Sequence, residues 1–216
     1  MGDAAAQRPV KAFRRTRGAY VARFRDEERA VLAGAALDVA SLLADDWPSQ
    51  GAPSDDPLAG LADDLARPTG RPDDPAVRRL LPDASRDDDE LAAEFRRLTQ
   101  ADLRASKSNG LLLLARVLTE QTGARPSEVV VERGDARAVA AAMTDIRLVI
   151  AERLGIRTDE QAEAIHENVP PGAEQLVAVY GALSWLQESL VTLMLDDMRR
   201  GADVTPPQPP SGDPSG

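Results

Sequence analysis

Val139, Met143, Ile146, Ile150 and Leu154 stand three or four positions apart without interruption, and no other feature of the chain restricts its fold as much. At 3.6 residues per turn that spacing lines one side of a helix, whereas a strand would need alternation. Gly134-Asp135 opens this helix and Gly155 supplies a residue suited to ending it. The same period recurs at Val31, Leu32, Ala35, Val39, Leu42 and Leu43, behind the acidic Asp26-Glu27-Glu28. Asp26 stands where an N-cap belongs, and acid in a first turn suits the helix dipole. A third stripe follows Asp87-Asp88-Asp89-Glu90, with Leu91, Phe95, Leu98 and Leu103 expected on its inner face. Ser106 to Gly110 is expected to kink or break that helix before Leu111 to Leu118 resume it. The last helix, roughly Glu174 to Arg199, carries Leu176, Tyr180, Leu183, Leu190 and Met194, widened by Val179, Leu186 and Leu193. So wide an arc implies a central helix or burial against a second subunit.

Only 3% of residues are aromatic, so Ala, Leu and Val must fill the interior, which favours close helix packing over a large sheet. Val129-Val130-Val131 is the clearest strand signal, and Val10 to Phe13 with Ala19 to Phe24 read as a hairpin turning near Gly18. The expected fold is therefore mainly α, a multi-helix bundle with a small antiparallel β element made of the N-terminal hairpin and the strand near Val129–Val131. Thr158-Asp-Glu-Gln161 has capping-box spacing for a short helix through Glu167. Residues 10–199 are expected to form one α-rich domain. Residues 1–9 and 200–216 are read as disordered ends. Residues 47–75, with prolines at 48, 53, 57, 68, 72 and 75, are read as a flexible surface excursion in which only Leu58 to Leu65 is helical.

The absence of cysteine removes disulfides, thiolate metal sites and thiol nucleophiles. The start lacks the apolar run of a signal peptide and no stretch approaches the ~18 apolar residues of a membrane span, so a cytoplasmic location without membrane contact is expected. Paired aspartates at 45–46, 55–56, 63–64, 73–74, 87–89 and 196–197 do not match a calcium loop and read as helix ends and solvated linkers. His166, the one histidine, has Glu163 and Glu167 nearby but no nucleophile motif, phosphate loop or second ligand. No catalytic residue, cofactor or metal is expected, and the chain reads as not an enzyme.

Charge is concentrated at the start: residues 1–25 carry a net of +6 while the whole chain carries −10. Lys11, Arg14, Arg15 and Arg17 are thus the candidate nucleic-acid contacts, against the plainer reading of a hairpin's solvated face. Asp145 lies near the edge of the strongest stripe and needs a partner, for which an arginine from another helix is expected; Arg147 lies off the stripe. Trp185, Gln187 and Glu188 are either core packing with a polar handle or an exposed ridge for a partner.

Leu80-Leu81-Pro82-Asp83, Asp145-Ile146-Arg147-Leu148 and Trp185-Leu186-Gln187-Glu188-Ser189-Leu190-Val191 occur in this order. In these blocks the chain, from about Val10 to Met198, resembles an actinobacterial family described as a domain of unknown function, some members of which are oxidative-stress transcriptional regulators (AosR-like). The resemblance implies a small α-rich fold with a minor sheet. It also implies regulation of gene expression through contact with the transcription machinery or a sigma factor, and a gene neighbourhood with the Clp-protease adaptor and sulfur metabolism. Weak DNA contact by the basic segment and a homodimer are compatible with it. The competing reading is an adaptor without DNA binding, linked to regulated proteolysis. Without cysteine, an oxidant response must come from Met143, Met194 or Met198, or from a partner.

Overall fold

The computed structural model describes residues 11–45, 70–85, 87–120, 123–167 and 169–202. Strands β1 (Lys11–Arg15) and β2 (Ala19–Arg23), the first burying Phe13 and the second a short apolar run, are joined by a turn in which Gly18 takes φ +85°. The valine run forms β3 (Glu128–Glu132), and the three strands lie antiparallel in the order β1-β2-β3. Tyr20 pairs with Val131 and Ala22 with Val129, so the buried Phe13, Tyr20, Ala22, Val129 and Val131 share the face turned to the helices.

Helix α1 (Asp26–Asp45) begins one residue earlier than expected. Asp26 is its first residue and not its cap. The cap position is Arg25, whose backbone N–H donates to Glu28 Oε2 at 2.8 Å. Leu32, Val39 and Leu43 are buried as the period requires, together with Ala33, Ala36 and Ala40, but Val31 is exposed. Asp74 caps the short α2 (Pro75–Leu80), accepting from Ala76 N–H at 2.7 Å. The end of the stretch read as a loose excursion is thus fixed in place. Residues 1–9, 47–69 with the Leu58–Leu65 helix, and 203–216 lie outside the described residues, while 200–202 continue the last helix.

Helix α3 (Asp89–Thr119) runs unbroken for 31 residues, through the stretch expected to kink it. Gly110 stays helical, and a Cβ there would meet Ala138 O at 3.5 Å and Ala142 Cβ at 3.9 Å, ordinary contacts. Replacing Gly110→Ala should raise stability by about 0.5–1 kcal/mol through helix propensity. A lower denaturation midpoint for that variant would show that the helices need the glycine to approach.

The expected inner face of α3 is reversed. Leu91, Phe95 and Leu98 are 56%, 46% and 61% exposed, and Leu103 is exposed as well. At 100° per residue the buried Gln100, Arg104, Leu111, Leu114 and Leu118 lie on the side opposite this stripe. The packed side is the one that faces α1, where Arg104 Nη1 donates to Leu43 O, and the stripe lies on the other side of the helix.

Helix α4 (Ala136–Arg153) packs against α2, α3 and α6. Val139, Met143, Ile146 and Ile150 are buried and Leu154 half-buried. Its end is closed by Gly155 at φ +71°, with Ile156 N–H donating to Ala151 O at 2.8 Å. Thr158 and Gln161 form the expected capping box on α5 (Asp159–Ala164), which stops three residues short of Glu167. Helix α6 (Glu174–Ala202) is central on one side: Leu183, Leu186 and Leu190 are at most 1% exposed. Leu176, expected in that face, is exposed.

Candidate interaction surfaces

Three of the hairpin arginines, Arg14, Arg15 and Arg23, are tied into the fold. Arg14 Nη2 and Arg23 Nη2 both donate to Glu128 Oε1, at 2.9 and 3.2 Å, across the sheet. Burial of Glu128 works to raise its carboxyl, and the bonds from Arg23 and Arg14 outweigh that and hold it below the usual carboxylate range. Arg15 Nε reaches Asp197 at 2.7 Å on α6. Tyr20 Oη donates to the same carboxylate at 2.7 Å, and Arg133 lies 3.2 Å from it. Burial and then Asp197 push the Tyr20 phenol up. Lys11 and Arg17 are exposed. Lys11 lines an open groove of about 370 Å³ with Ala12, Arg14, Val21 and Arg23. Of the four residues read as nucleic-acid contacts, Arg14 thus ties β1 to β3 within the sheet and Arg15 ties β1 to α6.

Asp145 is 4% exposed, and its partner is Lys107 of α3, at 2.6 Å, not an arginine. Burial pushes the Asp145 carboxyl up, and the Lys107 ammonium offsets only part of that. Arg147 donates to Gln187 Oε1 at 2.7 Å and lies over the Tyr180 ring at 5.2 Å, while Gln187 Nε2 donates to Thr144 Oγ1. Asp145, Arg147 and Gln187 therefore belong to the contacts among α3, α4 and α6.

The block from Trp185 to Val191 now divides. Leu186 and Leu190 are core, Gln187 joins α4, and Ser189 Oγ accepts from Phe13 N–H at 3.2 Å, fastening β1. Trp185, 39% exposed, and Glu188 point outward on one ridge with the exposed Leu195. These are the members of the block that the fold itself does not use. Met143 is buried, Met194 half-buried and Met198 61% exposed, so Met198 is the most accessible of the three to an oxidant.

His166 is an exposed residue whose ring covers Gly181: a Cβ at 181 would come within 2.7 Å of His166 Cε1. Its geometry is that of a side chain laid over a glycine on α6. Among the described residues no group of three or more His, Asp or Glu is placed to hold a metal ion. Glu174–Arg200 is long and apolar enough, by length and composition, to cross a membrane, although the reading of the chain found no such stretch. Here its most apolar side is packed inside the protein.

Two surfaces escaped the sequence reading. One is the exposed stripe Leu91-Phe95-Leu98 of α3. The other is an open groove of about 490 Å³ where α1, α4 and α6 meet, floored by residues such as Val39, Ile146, Ile150 and Val179. The stripe has no separate signal, because the period of α3 does not say which of its sides a neighbour covers. The groove depends on three helices meeting and has no signal in any one of them.

A family model described as a domain of unknown function (DUF2017) matches residues 10–194. No curated protein and no solved structure matches the chain.

Proposed function

Because the chain belongs to the DUF2017 family over residues 10–194, we propose that it is a non-enzymatic cytoplasmic regulator acting through protein contacts, of the oxidative-stress transcriptional type described for AosR-like proteins. The observation that carries this reading is the outward ridge of Trp185 and Glu188 on α6. A tryptophan left open on a rigid helix, in a chain with two tryptophans in all, is the kind of anchor that dominates protein interfaces. His166 is taken up in covering Gly181, which supports a binding role over catalysis. The partner proposed is the transcription machinery or a sigma factor, and no cofactor is invoked.

The pairing of Arg14 and Arg23 with Glu128, and of Arg15 with Asp197, favours a second reading over direct DNA contact: an adaptor that binds no DNA and serves regulated proteolysis. Capture from native cells, with and without oxidant, separates the two. Recovery of RNA polymerase or a sigma factor on the wild-type protein, lost with Trp185→Ala, is the expected result. Recovery of Clp components instead would favour the adaptor. Equal recovery by wild type and Trp185→Ala would remove the ridge from the account. For DNA, the expected result is a gel-shift affinity that changes little when Arg14, Arg15 and Arg17 become alanine. A steep, salt-sensitive loss would restore the hairpin as a phosphate contact.

A further inference from the structure

The outer face of the sheet gathers cations that regular alternation would have parted. Lys11 and Arg14 are three positions apart, an odd spacing that sets two residues of a regular strand on opposite faces. A bulge in β1 between them shifts the register, so that Lys11 pairs with Arg23 and Arg14 with Val21. Val21 and Arg23 alternate along β2 with Tyr20 and Ala22, which face the helices. Lys11, Arg14 and Arg23 therefore stand together on the side turned away from the helices. With Ala12 and Val21 they line the open groove of about 370 Å³. Val21 is 5% exposed although it belongs to the solvent side of the sheet, as when the stems of long cations cover an apolar floor.

Charge on this face is unbalanced. Arg14 and Arg23 share a single carboxylate oxygen, Glu128 Oε1. Lys11 is exposed, and the Arg14 side chain is 52% exposed even while it holds that bond. Three cations against one buried carboxylate leave two positive charges facing solvent. We propose that this groove binds an acidic peptide segment of a partner protein, one that presents two neighbouring carboxylates over Arg14 and Lys11. A guanidinium carries five donors, so Arg14 can take a carboxylate while it still holds Glu128. Lys11 meets the second carboxylate as a point charge. The extent of the positive field sets the class of occupant. Glu132 stands on the same face, opposite Ala19, and the chain as a whole carries −10. A nucleic-acid duplex, with one charge per ~1.7 Å of its axis, would carry its further phosphates over that acidic surround. A short peptide ends where its two carboxylates are matched. The groove is separate from the Trp185 ridge on α6 and does not depend on the reading given to that ridge.

Fluorescence anisotropy on the full chain tests the proposal, with a labelled Gly/Ser peptide that carries a central pair of aspartates as the probe. The wild type should bind it, more weakly as salt is added. The same peptide with two asparagines in place of the aspartates should bind about tenfold more weakly or worse. Lys11→Glu should weaken binding of the aspartate peptide by about tenfold or more, by setting a carboxylate against those of the ligand. Its melting temperature should stay that of the wild type, since the bonds that tie β1 to β3 and α6 run through Arg14 and Arg15. In amide spectra the shifts caused by the peptide should gather in Lys11–Arg15 and Ala19–Arg23. A wild type that does not bind the peptide overturns the proposal, and so does equal binding of the asparagine peptide. Binding that Lys11→Glu leaves unchanged, or amide shifts confined to α6, would place the contact elsewhere and overturns it too. Duplex DNA that displaces the peptide at physiological salt and binds more tightly would make nucleic acid the occupant, against the proposal.

Discussion

Replacing Lys107→Met is expected to destabilise the protein by about 3–5 kcal/mol at neutral pH, the cost of leaving a buried carboxylate without its counter-charge. Asp145 is 4% exposed on α4, and the bond from Lys107 at 2.6 Å crosses the interface with α3. Methionine keeps the length and most of the volume of the lysine stem, so the loss isolates the charge. The variant's deficit should also depend on pH in a definite direction. Burial already sets the folded pKa of Asp145 above its ordinary value, and removing the ammonium raises it further. A group raised in this way contributes stability that is full below the unfolded carboxylate pKa and is lost as pH rises through the folded pKa. Lys107→Met should therefore be hurt most at neutral pH and recover part of its stability in mild acid. The double replacement Lys107→Met/Asp145→Leu should be far less damaging than the single one, since an apolar pair of similar volume can match a buried ion pair. Urea denaturation at pH 5 and pH 7 measures all of this. A loss under about 1 kcal/mol for Lys107→Met, unchanged between the two pH values, would mean that Asp145 is stabilised by something other than Lys107.

The identity of that partner shows what the sequence conceals. Of the 26 basic residues only Lys11 and Lys107 are lysines, so an arginine was the reasonable expectation for Asp145. An ammonium on a flexible stem fills a narrow interhelical gap with one strong bond, whereas a guanidinium brings five donors that all need partners. Signals that act within a few residues were readable. The period of α4, the Thr158–Gln161 capping box and the Val129–Val131 strand are all where the residues place them. Signals that depend on what lies opposite were not. The stripe Leu91-Phe95-Leu98 is a correct helical face, but periodicity reports which residues share a side and not whether a neighbour covers it. The hairpin arginines likewise look like a charged solvent edge until Glu128 and Asp197, more than 100 positions away, come into contact with them. Of the candidate site, Trp185 and Glu188 were legible as a possible ridge and Asp145 as a polar contact to another helix, while its lysine partner and the bond between Arg147 and Gln187 were not.

Arg29 is the strongest example, and its removal is the second change expected to be severe. It follows Asp26-Glu27-Glu28 and reads as one more exposed charge, yet it is 6% exposed. Its Nε donates to Leu118 O at 2.6 Å, Nη1 to Pro126 O at 2.7 Å and Nη2 to Glu120 O at 3.0 Å. One guanidinium thus satisfies carbonyls at the C-terminal end of α3 and in the segment leading to β3, where the helix dipole favours a cation. Arg29→Met fills similar space but leaves these carbonyls without that donor in the interior. A loss of about 3–5 kcal/mol follows from the desolvation cost of unmade bonds to buried groups. Arg29→Lys should recover only a minor part, because a single ammonium cannot serve three diverging acceptors as the planar fork does. The damage should also be local before it is global. Amide hydrogen exchange should quicken first in Glu128–Glu132 and in the last turn of α3, since Arg29 is what fastens both to α1. If Arg29→Lys matches the wild type in denaturation and exchange, the fork geometry is not what holds the sheet to the bundle, and charge at the helix end is sufficient.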